Sequence, residues 1–323
     1  MENTNISIVV PLFNEEESLN ELYSWIKRVM NENKFSFELI LVDDGSSDKS
    51  WKVIESLAAS DKCVKGLKFR RNYGKSAALF SGFAEASGDV VITMDADLQD
   101  SPEEIPEMYK MITEQDFDIV SGWKKERHDS FIKNNTSKIY NWAARRSTKI
   151  KLHDFNCGLK AYKNQVIKSI EVYGEMHRYI PVLAKEAGFV KIGEKVVKHQ
   201  KRKFGTTKFG LERFTNGLLD LMTISFMSRF GKRPMHFFGT IGILMFFFGL
   251  LAAGYLGAHK LYMVYNNVPF GKVTDSPYFY LSMVMMVIGT LLFIAGFLGE
   301  MITRNSPIRN FYHIDKKLNV EDR

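Results

Sequence analysis

Four runs of apolar and β-branched residues, each closing on polar groups, mark the first hundred positions: "ISIVVPLF" from Ile6, "FELILVDD" from Phe37, "VKGLKF" from Val64 and "DVVITMD" from Asp89. They read as buried strands. Segments with helical periodicity separate them, Ser18 to Asn31, Ser47 to Ser60 and Lys75 to Ala86. Alternating strand and helix predicts an α/β domain, a mainly parallel sheet with helices on its faces. In such a sheet ligands sit at the carboxyl ends of the strands, so the polar residues that close the runs lie where chemistry would occur.

The pattern changes after residue 210. Leu211, Phe214, Leu218, Leu221 and Met222 recur at helical spacing between basic ends, which predicts amphipathic helices at a membrane interface. Two nearly charge-free stretches follow, Met235 to Ala258 and Tyr278 to Met301. A helix needs roughly 20 apolar residues to cross a hydrocarbon core of about 30 Å, and both stretches are long enough. A buried helical hairpin is the alternative for such a pattern. The expected organisation is an α/β domain over 1–210, amphipathic helices over 211–233, a transmembrane hairpin over 234–303 and a tail over 304–323.

Charge refines this picture. The formal net charge of +7 is concentrated between Lys191 and Arg233, where Glu194, Glu212 and Asp220 are the only acids. Such a cluster implies an anionic partner; the neighbouring apolar stretches favour a membrane surface over nucleic acid. Arg229, Lys232 and Arg233 precede the first stretch, and Arg304, Arg309, Lys316 and Lys317 follow the second, while the connection carries only Lys260, Lys272 and Asp275. The positive-inside rule then predicts a multi-pass protein of the cytoplasmic membrane with both ends inside. No signal peptide is expected ahead of the first domain. Cys63 and Cys157 lie in no metal-ligand spacing, so neither a disulfide framework nor a zinc site is expected.

Three strand ends carry unusual groups: "PLFNEEES", "VDDGSSD" and "MDADLQD". One acidic strand end is readily a helix cap, but carboxylates gathered at three would repel one another without a cation. In "DADLQ" the residues Asp95, Asp97 and Gln99 share one side of an extended strand, so three oxygen ligands converge. Such hard ligands suit Mg²⁺ or Mn²⁺, which bind substrate phosphates with only one or two protein carboxylates. Asp100 falls outside that register and is expected to face solvent or to start the following turn.

With "VVPLFNEEESL", "ILVDDGSSDKS", "RNYGKSAAL", "DADLQDSPEEIP", "DFNCGLKAY", "RKFGTTKF" and the paired apolar stretches in this order, the chain resembles family 2 glycosyltransferases of GT-A fold. Within them it is similar to the polyprenyl-phosphate glycosyltransferases related to dolichol-phosphate mannosyltransferase. The resemblance implies that Pro11, Asn14, Glu15, Asp43 and Asp44 surround the base and ribose of a nucleotide sugar, and that Asp95, Asp97 and Gln99 hold the metal and diphosphate. Lys75 would meet phosphate at a helix start or remain a surface lysine. Trp123 and Arg127 would line the donor site or a loop surface. For the acceptor phosphate the resemblance points to Arg202 and Lys208, with Lys133 and Ser137. An arginine is often found where Lys133 stands, so the bidentate fork is lost there. Asp154 would act near the acceptor or cap a turn.

The implied reaction is an inverting, metal-dependent transfer of a hexose, with UDP-glucose as the expected donor, to undecaprenyl phosphate. An ionised lipid phosphate needs no dedicated general base. The alternatives are a GDP-mannose-dependent transferase, a polysaccharide synthase, for which a Q-x-x-R-W signature is missing, and a non-catalytic binding protein. Gly242, Gly249, Gly254 and Gly289 would let spans pack closely between copies of a homo-oligomer.

Overall fold

The computed structural model describes residues 4–125, 145, 148, 150–174, 176–200, 203–204, 234–269, 271–304 and 314–319. Five strands and four helices follow the sequence pattern from the start: β1 (Ile6–Leu12), α1 (Leu19–Glu32), β2 (Phe37–Asp43), α2 (Ser50–Ser60), β3 (Val64–Phe69), α3 (Lys75–Glu85), β4 (Val90–Thr93), α4 (Ile105–Thr113) and β5 (Ile119–Trp123). Then come β6 (Lys160–Lys163), α5 (Asn164–Lys168), α6 (Ile180–Glu186) and β7 (Ile192–Val196). The last elements are α7 (Pro234–Tyr265), α8 (Pro277–Arg304) and β8 (Ile314–Leu318).

The strands form one eight-stranded sheet in the order β7-β5-β6-β4-β1-β2-β3-β8. Parallel pairing joins β1 to β2 and β4, β2 to β3, and β5 to β7. β6 and β8 run against their neighbours. The parallel centre needs cover on both faces, and its apolar runs supply it: Ile6, Ile8, Val9 and Val10 of β1 and Leu39, Ile40 and Val42 of β2 are fully or almost fully buried. From one side α1 contributes Leu19, Leu22, Ile26, Val29 and Met30, a stripe at helical spacing. Burying each such side chain is worth about 1.5–3 kcal/mol against leaving it in water.

The chain divides into two compact units, one of Met1–Ser225 with Arg309–Arg323, the other of Phe226–Ile308. The first therefore includes β8, drawn from beyond the apolar helices. Leu318 packs on the core, and the Asn319 amide donates to the carbonyls of Ala58 and Val64 at 3.0 and 2.8 Å.

In the second unit α7 and α8 lie against each other, and both are long and apolar enough to cross a membrane. Their glycines serve that contact. A Cβ on Gly242 would sit 2.5 Å from the Gly289 carbonyl oxygen, and one on Gly289 would sit 2.6 Å from that of Gly242. Gly249 meets the Ser282 carbonyl in the same way. These three glycines thus serve close approach within the hairpin; of the four, Gly254 has open space around it. The predicted interfacial helices of 211–233 lie outside the described residues.

Candidate active site

Parallel register brings the carboxyl ends of β1, β2 and β4 side by side, with Leu12 opposite Asp43. At the end of β1, Pro11 is half-buried. Asn14 takes positive φ (+55°), and its side chain ties two loops together. Its carboxamide oxygen accepts the Ser47 N–H at 2.9 Å, while its own N–H donates to Ser46 Oγ at 2.9 Å. The Glu15 N–H donates to Ser50 Oγ at 3.0 Å, so both loops share one framework.

Asp43, the last residue of β2, is fully buried. Its Oδ1 accepts the Ser46 N–H at 2.8 Å, and its Oδ2 has no hydrogen-bond partner. A buried carboxylate oxygen without a donor is costly and calls for one from outside the chain. Asp44 accepts the N–H groups of Tyr73 and Gly74 at 2.7 and 2.9 Å, which fastens the start of α3 to β2. Burial raises its pKa to about 6 against the pull of those two donors, and the neighbouring Asp43 adds to the rise.

Beyond β4 the structure departs from the sequence reading. The strand ends at Thr93, residues 96–97 form a turn and Leu98 takes positive φ (+60°). Asp95, Asp97 and Gln99 are therefore grouped by a turn, not by alternation along an extended strand. The Gln99 N–H folds back onto Asp97 Oδ1 at 3.2 Å, and its side-chain amide donates to the Gln200 carbonyl at 3.4 Å.

Asp95 is paired with Lys75, from the first turn of α3. Burial favours its neutral acid, but the ammonium groups of Lys75, Lys124 and Lys160 outweigh it and hold its pKa at about 2.

Asp100 does not face solvent. It is fully buried, paired with Lys124 at 2.6 Å and bridged through its backbone to His199. Burial works against the Lys124 charge, yet Asp100 and, further off, Asp95 hold its pKa above the ordinary lysine value. The reason is non-local: the end of β5 inserts an ammonium beneath the acidic turn.

Asp154 is buried in the loop before β6, where its Oδ1 accepts the Asn156 N–H at 3.0 Å. Four residues on, Gly158 lies against the turn, and a Cβ there would sit 2.6–2.8 Å from the Asp95 carboxylate atoms. The loop of "DFNCG" is thereby seated on Asp95. Trp123, at the end of β5, stacks on His153 with ring centroids 4.2 Å apart. Arg127, Lys133, Ser137, Arg202 and Lys208 lie outside the described residues.

Sequence reasoning missed Lys124, Lys160 and Glu194. Lys160 is buried and donates to the carbonyls of Phe155 and Cys157; burial lowers its pKa. Lys124 follows the end of β5, Lys160 opens the short β6 and Glu194 lies in β7, positions whose local sequence gives no sign of a partner in the loop before β6 or the turn after β4.

A divalent cation fits the donor set. Among the described residues no group of three or more His, Cys, Asp or Glu side chains could cage a metal. Asp95 and Asp97 with Gln99, grouped by the turn, could instead supply the sparse, hard-oxygen set suited to an ion that brings phosphate and water ligands of its own.

Known proteins resemble this chain in sequence and in fold. The family model described as Glycosyl transferase family 2 matches residues 7–170. Dodecaprenyl-phosphate galacturonate synthase of Rhizobium johnstonii is 35% identical over 309 residues, covering 94% of this chain and 89% of its own. Undecaprenyl-phosphate 4-deoxy-4-formamido-L-arabinose transferase of Pseudomonas paraeruginosa is 33% identical over 303 residues, covering 93% and 85%. Among solved structures, glucosyl-3-phosphoglycerate synthase from Mycobacterium tuberculosis with Mn²⁺ and UDP-glucose aligns with a TM-score of 0.53 at 20% identity, over 71% of this chain and 79% of that one. Mannosyl-3-phosphoglycerate synthase from Rubrobacter xylanophilus aligns with a TM-score of 0.57 at 14% identity, over 70% and 75%. These structural likenesses establish the GT-A fold of the sheet domain.

Proposed function

Because the chain belongs to glycosyl transferase family 2, and so is a glycosyltransferase, we propose that it moves a sugar from a nucleotide donor onto the phosphate of a polyprenyl lipid. The observation that carries this reading is the acidic edge: Asp43 Oδ2 is a buried acceptor without a donor, and Asp95 on a nearby strand end is balanced by Lys75. One asks for an N–H donor such as a base offers, the other for the cations that accompany a diphosphate. Relatives named for polyprenyl phosphates align along almost the whole chain, through the two apolar helices.

In this reading Asp43 meets the base, and Asp44, held by Tyr73 and Gly74, meets the ribose. Pro11, Asn14 and Glu15 form the wall of that pocket. Asp95 and Asp97, with Gln99, would hold Mg²⁺ or Mn²⁺, which when bound neutralises charge on the departing diphosphate. Lys75 and the positive end of the α3 dipole bring further positive potential to the phosphates. The lipid phosphate oxygen, already ionised, attacks the anomeric carbon opposite the leaving group, so the sugar inverts and no proton need be removed. Asp154 orients groups near that oxygen. Arg202, Lys208, Lys133, Ser137 and Arg127 are proposed to supply phosphate contacts.

The donor sugar is proposed to be of the modified kind, a uronic acid or a formamido-pentose, because the relatives' names carry galacturonate and 4-deoxy-4-formamido-L-arabinose. UDP-glucose, the donor expected from sequence, is retained as a comparison arm. The test incubates purified full-length protein with Mg²⁺ or Mn²⁺, a short polyprenyl phosphate and a panel of UDP- and GDP-linked sugars. A lipid-phosphate sugar identified by mass supports the reading. Unchanged lipid phosphate with every donor would overturn it.

A further inference from the structure

We infer that Glu194, on the edge strand β7, is a positioning residue that sets the loop 153–158 against Asp95. This rests on the transferase reading above and extends it to a residue in none of its pockets.

The inference follows from where the loop's backbone groups are held. One oxygen of Glu194 accepts two consecutive N–H groups, those of His153 at 2.7 Å and Asp154 at 3.1 Å. Its other oxygen lies 2.7 Å from His153 Nδ1. Further along the loop Lys160 Nζ donates to the carbonyls of Phe155, at 3.2 Å, and Cys157. Thr93 Oγ1, on the last residue of β4, donates to the Gly158 carbonyl at 2.9 Å. A carboxylate thus grips the donors at the loop's start, and an ammonium and a hydroxyl grip its acceptors further along.

Rigidity here has a chemical target. The Cα of Gly158 abuts the Asp95 carboxylate closely enough that even a methyl group would collide with it. Asp154, between the two grips, is fixed by the same bonds. Glu194 is only 12% exposed at its side chain, whereas His153 is 54% exposed, so the acid is anchored and the loop is what it anchors. Charge-assisted bonds to a carboxylate are roughly twice as strong as neutral ones, which suits a residue that must hold two amides at once. A displacement of about 1 Å at a reacting group costs up to 10²-fold in rate.

The test compares Glu194→Ala and Glu194→Gln with the wild type in the full-length protein. Glutamine keeps an oxygen able to accept both N–H bonds; alanine keeps neither. Alanine should lower kcat by roughly 10- to 100-fold while donor KM and UDP affinity stay within about twofold. Glutamine should restore kcat to within about threefold of wild type. Hydrogen exchange, read without turnover, should show the amides of 153 and 154 exchanging at least tenfold faster in the alanine variant and unchanged in the glutamine variant. Unaltered exchange in Glu194→Ala would overturn the grip. Faster exchange with wild-type kcat would overturn its part in catalysis, as would a glutamine variant as slow as alanine. Failure of the transferase reading itself is distinct, since the wild type would then yield no lipid-linked sugar with any donor.

Discussion

Asp44 has a carboxylate only 5% exposed, held between two backbone donors and beside a second aspartate. Its pKa of about 6 in the fold lies above the value near 4 of an unfolded aspartate, so the folded state binds its proton more tightly. The stability this gives is complete below about pH 4 and is lost as pH rises through 6. The span corresponds to roughly 2 to 3 kcal/mol. Melting curves of the wild type should therefore shift downward between pH 4 and 7 by this contribution, and Asp44→Asn should flatten that part of the profile. An equally steep profile in the variant would refute the assignment. Asp97 is proposed to act through its charge, as a ligand of the metal. Asp97→Ala should lower turnover by about 10³-fold and weaken Mn²⁺ binding measured by paramagnetic resonance, with the melting temperature within a few degrees of wild type.

At the level of elements, the turn after β4 rests on a buried ion pair supplied from the end of β5. Removing one partner of such a pair leaves the other charge buried and costs about 3–5 kcal/mol, whereas replacing both with apolar groups is often neutral. Lys124→Met should accordingly destabilise strongly, and adding Asp100→Leu should recover most of the loss, as read from denaturation of the single and double variants. Additive losses would show that the pair does not support the turn. This element also marks where sequence reading succeeds and stops. β1 to β4 were legible because each is a near-continuous apolar run, and their polar ends were legible because parallel strands place them on one edge. The Asp100–Lys124 contact was not, since it joins positions that only the sheet order brings together. Nor was the turn at Asp95, whose shape depends on Leu98 at positive φ, an unusual conformation for a β-carbon-bearing residue. β8 escaped notice because "IDKKL" has little apolar content and pairs with β3, far away in sequence.

On the scale of the whole molecule, β8 constrains topology. The chain leaves the sheet-containing unit before α7 and returns to it after α8. A folded unit cannot be shared across a bilayer, so if α7 and α8 span one, as we propose, the segments on either side of them share a compartment and the helices cross an even number of times. The proposed arrangement is a hairpin with the connection between α7 and α8 outside and the catalytic unit inside, as the basic flanks require. Cysteine labelling in intact cells tests it. Val268→Cys, in the exposed connection, should react with a membrane-impermeant maleimide before lysis, while Lys316→Cys, exposed on β8, should react only afterwards. Cys63 and Cys157 belong to the sheet-containing unit and, in the proposed arrangement, should stay unlabelled in intact cells. Labelling of Lys316→Cys from outside would reverse the topology and, with it, the access of a cytoplasmic nucleotide sugar to Asp43 and Asp95.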